Sequence, residues 1–493
     1  MVQVVRALVK LGGTTVGSTT RLKNIERLFE SDFNDNIERV GICTSALALD
    51  SAWRVTELLT ILANNTVGRD LFCDVKEETR DAFNKAFESV RRTQLTREFV
   101  WTQITRVHFA AFGDLLPEDV IQKVLDETRD RLLSGTAGSY SWSDAEKKVR
   151  FDLIVGAGEV MAAELLAALL EFEYLDAYEI TKINGDGSID YAGTRTALRQ
   201  AVAELNGRKF VCAGFIGTNS DDGMTPMVLE RGGTDITAAV FACALQGVSI
   251  LEVRKEVRGI FPADPGMFAA EKQFQHISET VHRAIRESGA QPLHADALSY
   301  IRRYDPRLTV SVCSSDDINL SGTMIKPDNG DGEFKLTMMQ GSKKFTAINI
   351  GFEGFNNAVG ALAFITGLFD AFGVAITHMA TGVDSVMIMV ATHELDEFIQ
   401  SKLTERLNRQ YHDRRLEVSF ANDLRFINIV GQGLGDNNVA VLANIFAALR
   451  GTQIKRVRAI DVGGSSFSIV IGIDQVDYVQ AYQTLYSSLF EDM

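Results

Sequence analysis

The chain has 493 residues, enough for about three domains of ordinary size, and 46% of them are hydrophobic. Its formal net charge of −15 argues against a nucleic-acid-binding surface. Five scattered cysteines without a CxxC pair favour reduced core residues of an intracellular protein: Cys43, Cys73, Cys212, Cys243 and Cys313.

Residues 1 to about 326 alternate short apolar runs with longer amphipathic segments, which predicts a parallel sheet covered on both faces by helices. The predicted strands are Val4–Val9, Val40–Thr44, Phe210–Gly214, Val248–Val253 and Thr309–Val312. Segment 66–150 is charged and has few strand signals, so we expect a helical excursion from the sheet.

Glycine-rich segments follow two of these strands. The first strand leads into Lys10-Leu11-Gly12-Gly13-Thr14, which suits a phosphate cradle, although the chain has no P-loop pattern. The strand Phe210–Gly214 leads into a loop that ends with Arg231-Gly232-Gly233 and Asp235 beside a predicted helix start. A helix N-terminus and a guanidinium both favour anions, so this loop indicates a site for a small acidic molecule.

Two further segments carry polar groups. Gly156-Ala157-Gly158-Glu159 is predicted to open an apolar helix over Val160–Glu171, and Lys255–Pro265 follows the strand Val248–Val253. Singly, each segment has an ordinary structural explanation. Paired glycines after a strand commonly form a plain turn, Lys10 fits a solvated strand end, and Thr44 and Thr56 fit helix caps.

In their order along the chain, these segments resemble the aspartokinase branch of the amino-acid kinase family. The motifs K-F-G-G-T-S-V and S-x-G-E correspond to residues 10–16 and 156–159. The motifs G-R-G-G-S-D, K-E-V-D-G-I-F-T-A-D-P and G-A-x-V-L-H-P correspond to residues 230–235, 255–265 and 289–295. The resemblance is collinear and covers essentially the whole chain.

The resemblance implies an α/β fold with an amino-acid-kinase domain, a three-layer αβα sheet structure, over residues 1–326. Turn residues predict a linker at 327–333. A weak repeat follows it, with strand, helix and strand at 345–352, 358–372 and 386–391, and again at 425–431, 439–450 and 466–473. This repeat fits two α+β ACT-like (βαββαβ) domains at 334–420 and 421–493. The apolar stretch Val359–Ile376 contains Asp370 and is interpreted as a core helix, not a membrane span.

The activity implied by the resemblance is phosphoryl transfer from MgATP to the β-carboxylate of L-aspartate, giving 4-phospho-L-aspartate. This is the first step toward the aspartate-family amino acids lysine, threonine and methionine. A carboxylate with a pKa near ~4 is already a nucleophile at neutral pH, so positioning and charge stabilisation suffice. The histidines form no HxH or HExxH grouping, and no protein metal site is expected. Magnesium would be held mainly through the nucleotide phosphates.

Residue roles are carried over from the matching motifs. Lys10 and Asp235 are implied to be catalytic, with Lys10 neutralising the transferring phosphoryl group. The implied substrate-binding residues are Thr44, Thr56, Glu159, Arg231, Gly232 and Gly233. The implied nucleotide-binding residues are Lys10, Gly12, Gly13, Thr14, Lys255, Gly259 and Asp264. We expect a cytoplasmic homodimer, or a larger assembly through the ACT domains, that binds neither nucleic acid nor membrane.

Departures from the motifs cluster on the nucleotide side. They are Glu230 for Gly, Arg258 for Asp, Pro262 for Thr and Gly266 for a basic residue. These changes leave two alternatives open: a kinase with another acidic acceptor, and a non-catalytic, amino-acid-binding regulatory homologue.

The effector motif V-D-L-I-x-T-S-E of the first ACT unit is also altered. Thr377 replaces its acid, and Gly382-Val383 replaces Ser-Glu. We therefore expect weak or absent feedback by lysine and threonine, unless Asp384 or Glu353 supplies the missing acid.

Overall fold

A computed structural model describes residues 5–31, 36–49, 54–67, 75, 97–133, 142–230, 232–264, 267–268, 273–287, 293–326, 335–432, 434–462 and 467–490. The chain divides into two compact units. Unit 1 comprises Met1–Ile260, Gln273–Ile277 and Pro292–Pro327, and unit 2 comprises Phe261–Lys272, Ser278–Gln291 and Asp328–Met493.

Unit 1 is built on an eight-stranded sheet in the order β3-β5-β2-β1-β8-β10-β11-β9, with a three-stranded sheet β4-β6-β7 beside it. The strands are β1 (Val5–Leu11), β2 (Ile37–Thr44), β3 (Glu173–Leu175), β4 (Lys182–Ile183), β5 (Phe210–Ala213), β6 (Ile216–Asn219), β7 (Pro226–Val228), β8 (Val248–Lys255), β9 (His276–Ser278), β10 (Thr309–Ser314) and β11 (Thr323–Lys326). From β3 to β10 all neighbouring strands are parallel, which confirms the predicted sheet.

The register of the sheet brings the carboxyl ends of the central strands to one edge. Lys10, near the end of β1, pairs with Cys43 of β2 and with Val253 of β8, and Lys255 pairs with Ser314 of β10. Ligands of open α/β sheets bind at this edge, where loops and helix N-termini converge. The polar segments found in the sequence lie here.

Ten helices of unit 1 have described bounds: α1 (Gly13–Val16), α2 (Thr19–Glu30), α3 (Val55–Val67), α4 (Arg97–Phe112), α5 (Glu118–Leu133), α6 (Asp144–Leu170), α7 (Ala177–Ile180), α8 (Tyr191–Glu204), α9 (Gly233–Ala244) and α11 (Ala295–Tyr304). Helix α10 (Glu279–Glu287) precedes α11 in the chain and belongs to unit 2. Within its described residues, segment 66–150 is helical and contains no strand, as predicted.

The prediction that a helix opens at Gly156–Glu159 is wrong. Helix α6 begins at Asp144 because Ser143 forms a capping box with Glu146, each side chain accepting the backbone N–H of the other residue. Gly156 and Gly158 therefore lie inside a 27-residue helix. They are needed for close packing: a Cβ at Gly158 would lie 2.9 Å from Val55 Cγ1. Glu159 thus owes its place to helix packing and not to a helix N-terminus.

Helix α6 is also the one described helix that is long and apolar enough to cross a membrane. Its apolar window is 72% buried inside the protein, as in the core helix of a globular domain. Four cysteines are buried, as predicted for core residues: Cys43, Cys212, Cys243 and Cys313. Cys73 lies outside the described residues.

Unit 2 contains a six-stranded antiparallel sheet in the order β13-β14-β12-β15-β17-β16. Its strands are β12 (Lys335–Gly351), β13 (Ile376–Thr381), β14 (Ser385–Ala391), β15 (Glu417–Gln432), β16 (Ala459–Asp461) and β17 (Ser468–Asp474). Besides α10, its helices are α12 (Ala361–Ala371), α13 (Glu397–Gln410), α14 (Leu434–Arg450) and α15 (Gln475–Phe490). The repeated strand–helix–strand pattern is therefore present, and Val359–Ile376 contains a helix with buried apolar residues, as interpreted.

Hydrophobic cores of both repeats pack on this sheet, and one of the two described next crosses the boundary predicted at residue 420. One core contains Ile348, Phe369 and Leu407 and belongs to the first repeat. The other combines Leu336 and Met339 with residues 427–489 of the second repeat. The first half of β12 pairs with the second half of β15, so residues 335–341 supply the strand that the second module lacks after α15. The sequence analysis assigned residues 335–341 to the first module, because they form one continuous strand with the rest of β12.

Candidate active site

An ion pair lies at the carboxyl edge of the sheet. The ammonium nitrogen of Lys10 is 2.7 Å from Oδ1 of Asp235, and both residues are more than nine-tenths buried. Lys10 is positioned by the buried strand β1, and Asp235 by the first turn of α9. The resemblance implies that Asp235 and Glu159 either receive the substrate ammonium or orient Arg231 and Lys10, and the structure shows Asp235 in contact with Lys10.

Asp235 is held in its ionised form. Burial alone would raise the pKa of this carboxyl, but the ammonium groups of Lys10 and Lys255 and the backbone N–H of His294 lower it below its ordinary value. That N–H donates to Oδ2 of Asp235 over 2.9 Å. The carboxylate therefore fixes the direction of the Lys10 side chain.

A second cation lies nearby, at the end of β8. Burial and the ammonium of Lys10 lower the pKa of Lys255, although the carboxylates of Asp235 and Glu256 oppose this effect. Two ammonium groups close enough to repel each other are relieved by an anion between them. The edge of the sheet thus suits a phosphate-bearing ligand.

The loop after β1 approaches its neighbours very closely. A Cβ atom at Gly13 would lie 2.5 Å from the carbonyl oxygen of Ala46. Among the described residues, one at Gly12 would have only the Lys10 ammonium nitrogen within 4 Å, at 3.8 Å. Gly12 therefore lies beside Lys10, whereas Gly13 packs against the backbone at Ala46, and their predicted contacts with phosphate stay predictions. Thr14 donates its hydroxyl to Glu256 over 2.8 Å, so a nucleotide would have to compete for this group.

A buried cluster of charged side chains lies on β2 and β8, and the sequence analysis missed it. Glu252 of β8 accepts two hydrogen bonds from Arg39 of β2, at 2.9 and 3.1 Å, and two from Arg254, at 2.9 and 3.2 Å. Burial would raise the pKa of Glu252, but the two guanidinium groups lower it. Arg254 also donates to the carbonyl of Ser314, which ties β8 to β10 directly before Lys255.

The loop before α9 was predicted as an anion site. Gly232 caps the helix with a φ of 90°, and a Cβ there would lie 2.3 Å from Cδ2 of His294. The helix begins at Gly233, as expected, and Thr234 accepts a hydrogen bond from Ser45 over 2.9 Å. Arg231 lies outside the described residues, so its predicted role stays a prediction.

A cleft of about 430 Å³ opens beside this loop. Among its lining residues are Gly13, Ser45, Arg54, Thr56, Glu57, Thr60, Glu159, Gly232, Gly233 and Thr234. Phe215 also lines it with a φ of 71°, a conformation that non-glycine residues rarely adopt and that is common at functional sites. The structure thus brings Gly13, Thr56, Glu159, Gly232 and Gly233 together around one cavity.

Glu159 is the buried acid of this cleft. Its carboxyl is 4% exposed, and Oε2 has no hydrogen-bond partner among the described residues. Burial raises its pKa to about 8, although backbone N–H groups partly oppose the shift. An acid with a free oxygen in an apolar wall is suited to receive a cationic group, such as the ammonium of an amino acid.

The predicted position of Thr44 requires a correction. Thr44 is the last residue of β2 and is fully buried, with its hydroxyl donating to the carbonyl of Ser45. Its neighbour Ser45 lines the cleft instead, because successive residues of an extended strand point to opposite faces. Ser45, Arg54, Glu57 and Thr60 were all missed by the sequence analysis.

Two nucleotide-side residues lie outside this cleft. Gly259 has a φ of 129°, and a Cβ there would lie within 3 Å of Gln273 and Thr323 side chains. Asp264 is part of unit 2, where its backbone N–H donates to the hydroxyl of Tyr482 over 3.0 Å. Their predicted contacts with the nucleotide stay predictions.

Comparison with known proteins supports the resemblance found in the sequence. The chain is 25% identical to the lysine-sensitive aspartokinase 3 of Escherichia coli over 399 residues, which is 79% of this chain and 85% of that protein. It is 23% identical to the chloroplastic bifunctional aspartokinase/homoserine dehydrogenase of Daucus carota over 502 residues, 98% of this chain but 50% of that protein. The chain therefore spans about half the length of these bifunctional relatives.

The fold is also shared with solved structures. Escherichia coli aspartokinase III in complex with lysine and aspartate matches 98% of this chain and 99% of its own, with a TM-score of 0.76 and 21% identity. The same enzyme in complex with aspartate and ADP gives a TM-score of 0.67 at 22% identity. At this identity the likeness concerns the fold. The family model named "Amino acid kinase family" matches residues 5–311, which is most of unit 1 and more than half of the chain. The chain thus belongs to the amino acid kinase family.

Proposed function

We propose that the protein is an aspartate kinase, which transfers the γ-phosphoryl group of ATP to the β-carboxylate of L-aspartate. The observation that carries the proposal is the buried Lys10–Asp235 ion pair, set between a glycine loop and a cleft that contains Glu159. Similarity to aspartokinases over nearly the whole chain supports the choice of acceptor.

On the phosphate side, Lys10 neutralises the charge that develops on the transferring phosphoryl group, and Asp235 holds its ammonium in place. Lys255 binds the other phosphate oxygens, and the lowered pKa of Lys255 beside Lys10 supports an anion between the two. Gly12 and Gly13 let the backbone approach the phosphates. Magnesium, bound through the nucleotide phosphates, would supply further charge neutralisation.

On the acceptor side, Glu159 binds the ammonium of aspartate and Arg231 its α-carboxylate. Thr56 and the backbone N–H groups at the start of α9 orient the acceptor. The β-carboxylate needs no general base, since it is ionised at neutral pH. Catalysis is then proximity and electrostatic stabilisation.

We also propose that unit 2 mediates assembly into a homodimer. Its two modules have the β-sheet and helix pattern predicted for ACT domains. The predicted cytoplasmic location is retained as part of the proposal, in keeping with four buried cysteines that form no disulfide.

The test is trapping of the acyl phosphate. Purified protein with MgATP and L-aspartate is expected to form a hydroxamate in the presence of hydroxylamine. L-glutamate and an acceptor-free reaction serve as controls for another acceptor and for ATP hydrolysis. Lys10→Ala is expected to abolish the signal, whereas Lys123→Ala, at an exposed position, is expected to retain it. Absence of hydroxamate from a folded wild-type protein that binds ADP would refute the proposed activity.

A further inference from the structure

Arg54 is a cationic residue of the cleft to which neither the motifs nor the comparisons assign a role. Its side chain is partly buried and lines the same cavity as Thr56 and Glu159. Of the described residues that line this cavity, Arg54 has the one cationic side chain. Arginine suits carboxylate binding because its planar fork can donate two parallel hydrogen bonds.

The backbone of Arg54 is fixed toward the phosphate loop. Its carbonyl accepts the N–H of Leu58, in the first turn of α3, over 3.1 Å. It forms an antiparallel β-bridge with Ala48, whose N–H in turn donates to the carbonyl of Gly13 over 3.0 Å. The backbone that carries the Arg54 guanidinium therefore lies close to the glycine loop. Arg54 and Gly13 of that loop line the same cleft.

The acidic side chains of the cleft and the carboxylates of an acidic ligand together favour a cation such as Arg54 in this site. Glu57 and Glu159, both more than nine-tenths buried, are acids that line it. An acidic amino acid brings two carboxylates and one ammonium, and its ammonium can be received by Glu159. Each carboxylate then needs its own donors, because an unpaired anion in a partly desolvated cleft is strongly disfavoured.

We propose that Arg54 binds one carboxylate of the acceptor and makes the cleft selective for acidic amino acids. This inference rests on the proposed function, since it takes the cleft to be the acceptor site. It assigns specificity to a residue that directly precedes the first turn of α3, in a segment where the sequence showed only Thr56.

The experiment measures binding of three ligands by titration calorimetry in the presence of ADP. L-aspartate carries both carboxylates, L-asparagine lacks the β-carboxylate, and L-isoasparagine lacks the α-carboxylate. They are compared in wild type, Arg54→Gln, Arg54→Lys and the control Arg307→Gln, at an exposed position outside the cleft. ADP binding and thermal unfolding report whether each variant is folded.

Arg54→Gln is expected to weaken aspartate about 10- to 150-fold, the range for a hydrogen bond to a charged group, while ADP binding is unchanged. It is expected to leave the affinity for one of the two amides nearly unaltered, and that amide identifies the carboxylate that Arg54 binds. Arg54→Lys should recover part of the loss, and Arg307→Gln should resemble wild type.

The inference is overturned if Arg54→Gln binds aspartate as wild type does, or weakens aspartate and both amides equally. A fall in kcat with unchanged aspartate affinity would overturn it as well, since it would move Arg54 to the transferring phosphoryl group. The proposed function is tested separately by the hydroxamate assay. If carboxylate binding depends on Arg54 but the wild-type protein forms no hydroxamate, the inference is supported and kinase activity is refuted.

Discussion

The buried carboxyl of Glu159 predicts that acceptor binding is coupled to proton release. Burial raises the pKa of Glu159 to about 8, so the free protein holds this group mostly protonated at pH 7. An ammonium bound to Oε2 favours the carboxylate and lowers the pKa again. Aspartate must therefore displace a proton when it binds, and its affinity must fall as the pH falls below 8.

The expected change in aspartate affinity with pH follows from the ionised fraction of Glu159. With a pKa of about 8, roughly 1% of Glu159 is ionised at pH 6, about a tenth at pH 7 and half at pH 8. Aspartate affinity should thus rise about fifty-fold between pH 6 and pH 8. Close to 0.9 proton, an approximate figure, should be released per aspartate at pH 7. The aspartate carboxylates and ammonium contribute little, because their own pKa values lie outside this interval.

Titration calorimetry at pH 7 in two buffers of different ionisation enthalpy measures the proton count directly. Glu159→Gln should remove both the proton release and the pH dependence, together with part of the affinity. Glu164→Gln is the matched control, because burial also raises the pKa of Glu164 on the same helix but this residue does not line the cleft. Aspartate binding without proton release in wild type, at a constant affinity from pH 6 to 8, would refute the reasoning.

Four further outcomes are expected. Lys10→Ala should lower kcat by at least about 100-fold with little change in aspartate affinity, measured by hydroxamate kinetics and calorimetry, and a loss confined to affinity would contradict its role. Gly13→Ala should impair ATP turnover far more than Gly12→Ala, because a Cβ clashes with backbone only at residue 13; equal effects would argue against a close approach there. Glu252→Gln should lower the free energy of unfolding, measured in urea, by about 3 to 5 kcal/mol, because it removes the anion that pairs with two buried guanidinium groups. The control Glu38→Gln, at an exposed position, should change this free energy by less than about 0.5 kcal/mol. Lysine and threonine should not inhibit at sub-millimolar concentration, because Thr377 and Gly382-Val383 replace the acidic groups of the effector motif; inhibition would show that another group receives the effector ammonium.

The structure also explains why local patterns identified some site residues and missed others. Lys10 and Asp235 stood out because each lies beside glycines at the end of a strand or the start of a helix, a local arrangement that the sequence displays. Arg54 and Ser45 have no neighbouring glycines in the sequence that would identify them in this way. Their place in the cleft depends on tertiary contacts: the backbone N–H groups of Ser45 and Ala48 donate to the carbonyls of Leu11 and Gly13, and Arg54 forms a β-bridge with Ala48.

Helix α6 shows that the predicted local setting of Glu159 is wrong although the residue lines the cleft. The sequence analysis places a helix start at Gly156–Glu159, before the apolar run Val160–Glu171. Packing decided otherwise, since the small surface of Gly156 and Gly158 lets Val55 and Ile216 approach the helix. The acid at Glu159 then faces the cleft from the middle of a buried helix, and this burial gives it the raised pKa.

The sequence by itself determined the class of the fold, the alternation of strands and helices, and the identity of the charged groups at the sheet edge. These features follow from hydrophobic periodicity and from local turn and glycine patterns. Only the tertiary structure decided the contact between Lys10 and Asp235, the buried Arg39–Glu252–Arg254 cluster and the use of residues 335–341 as a strand of the second module. Each of these joins residues far apart in the chain, and strand order and register, which no local pattern encodes, bring them together.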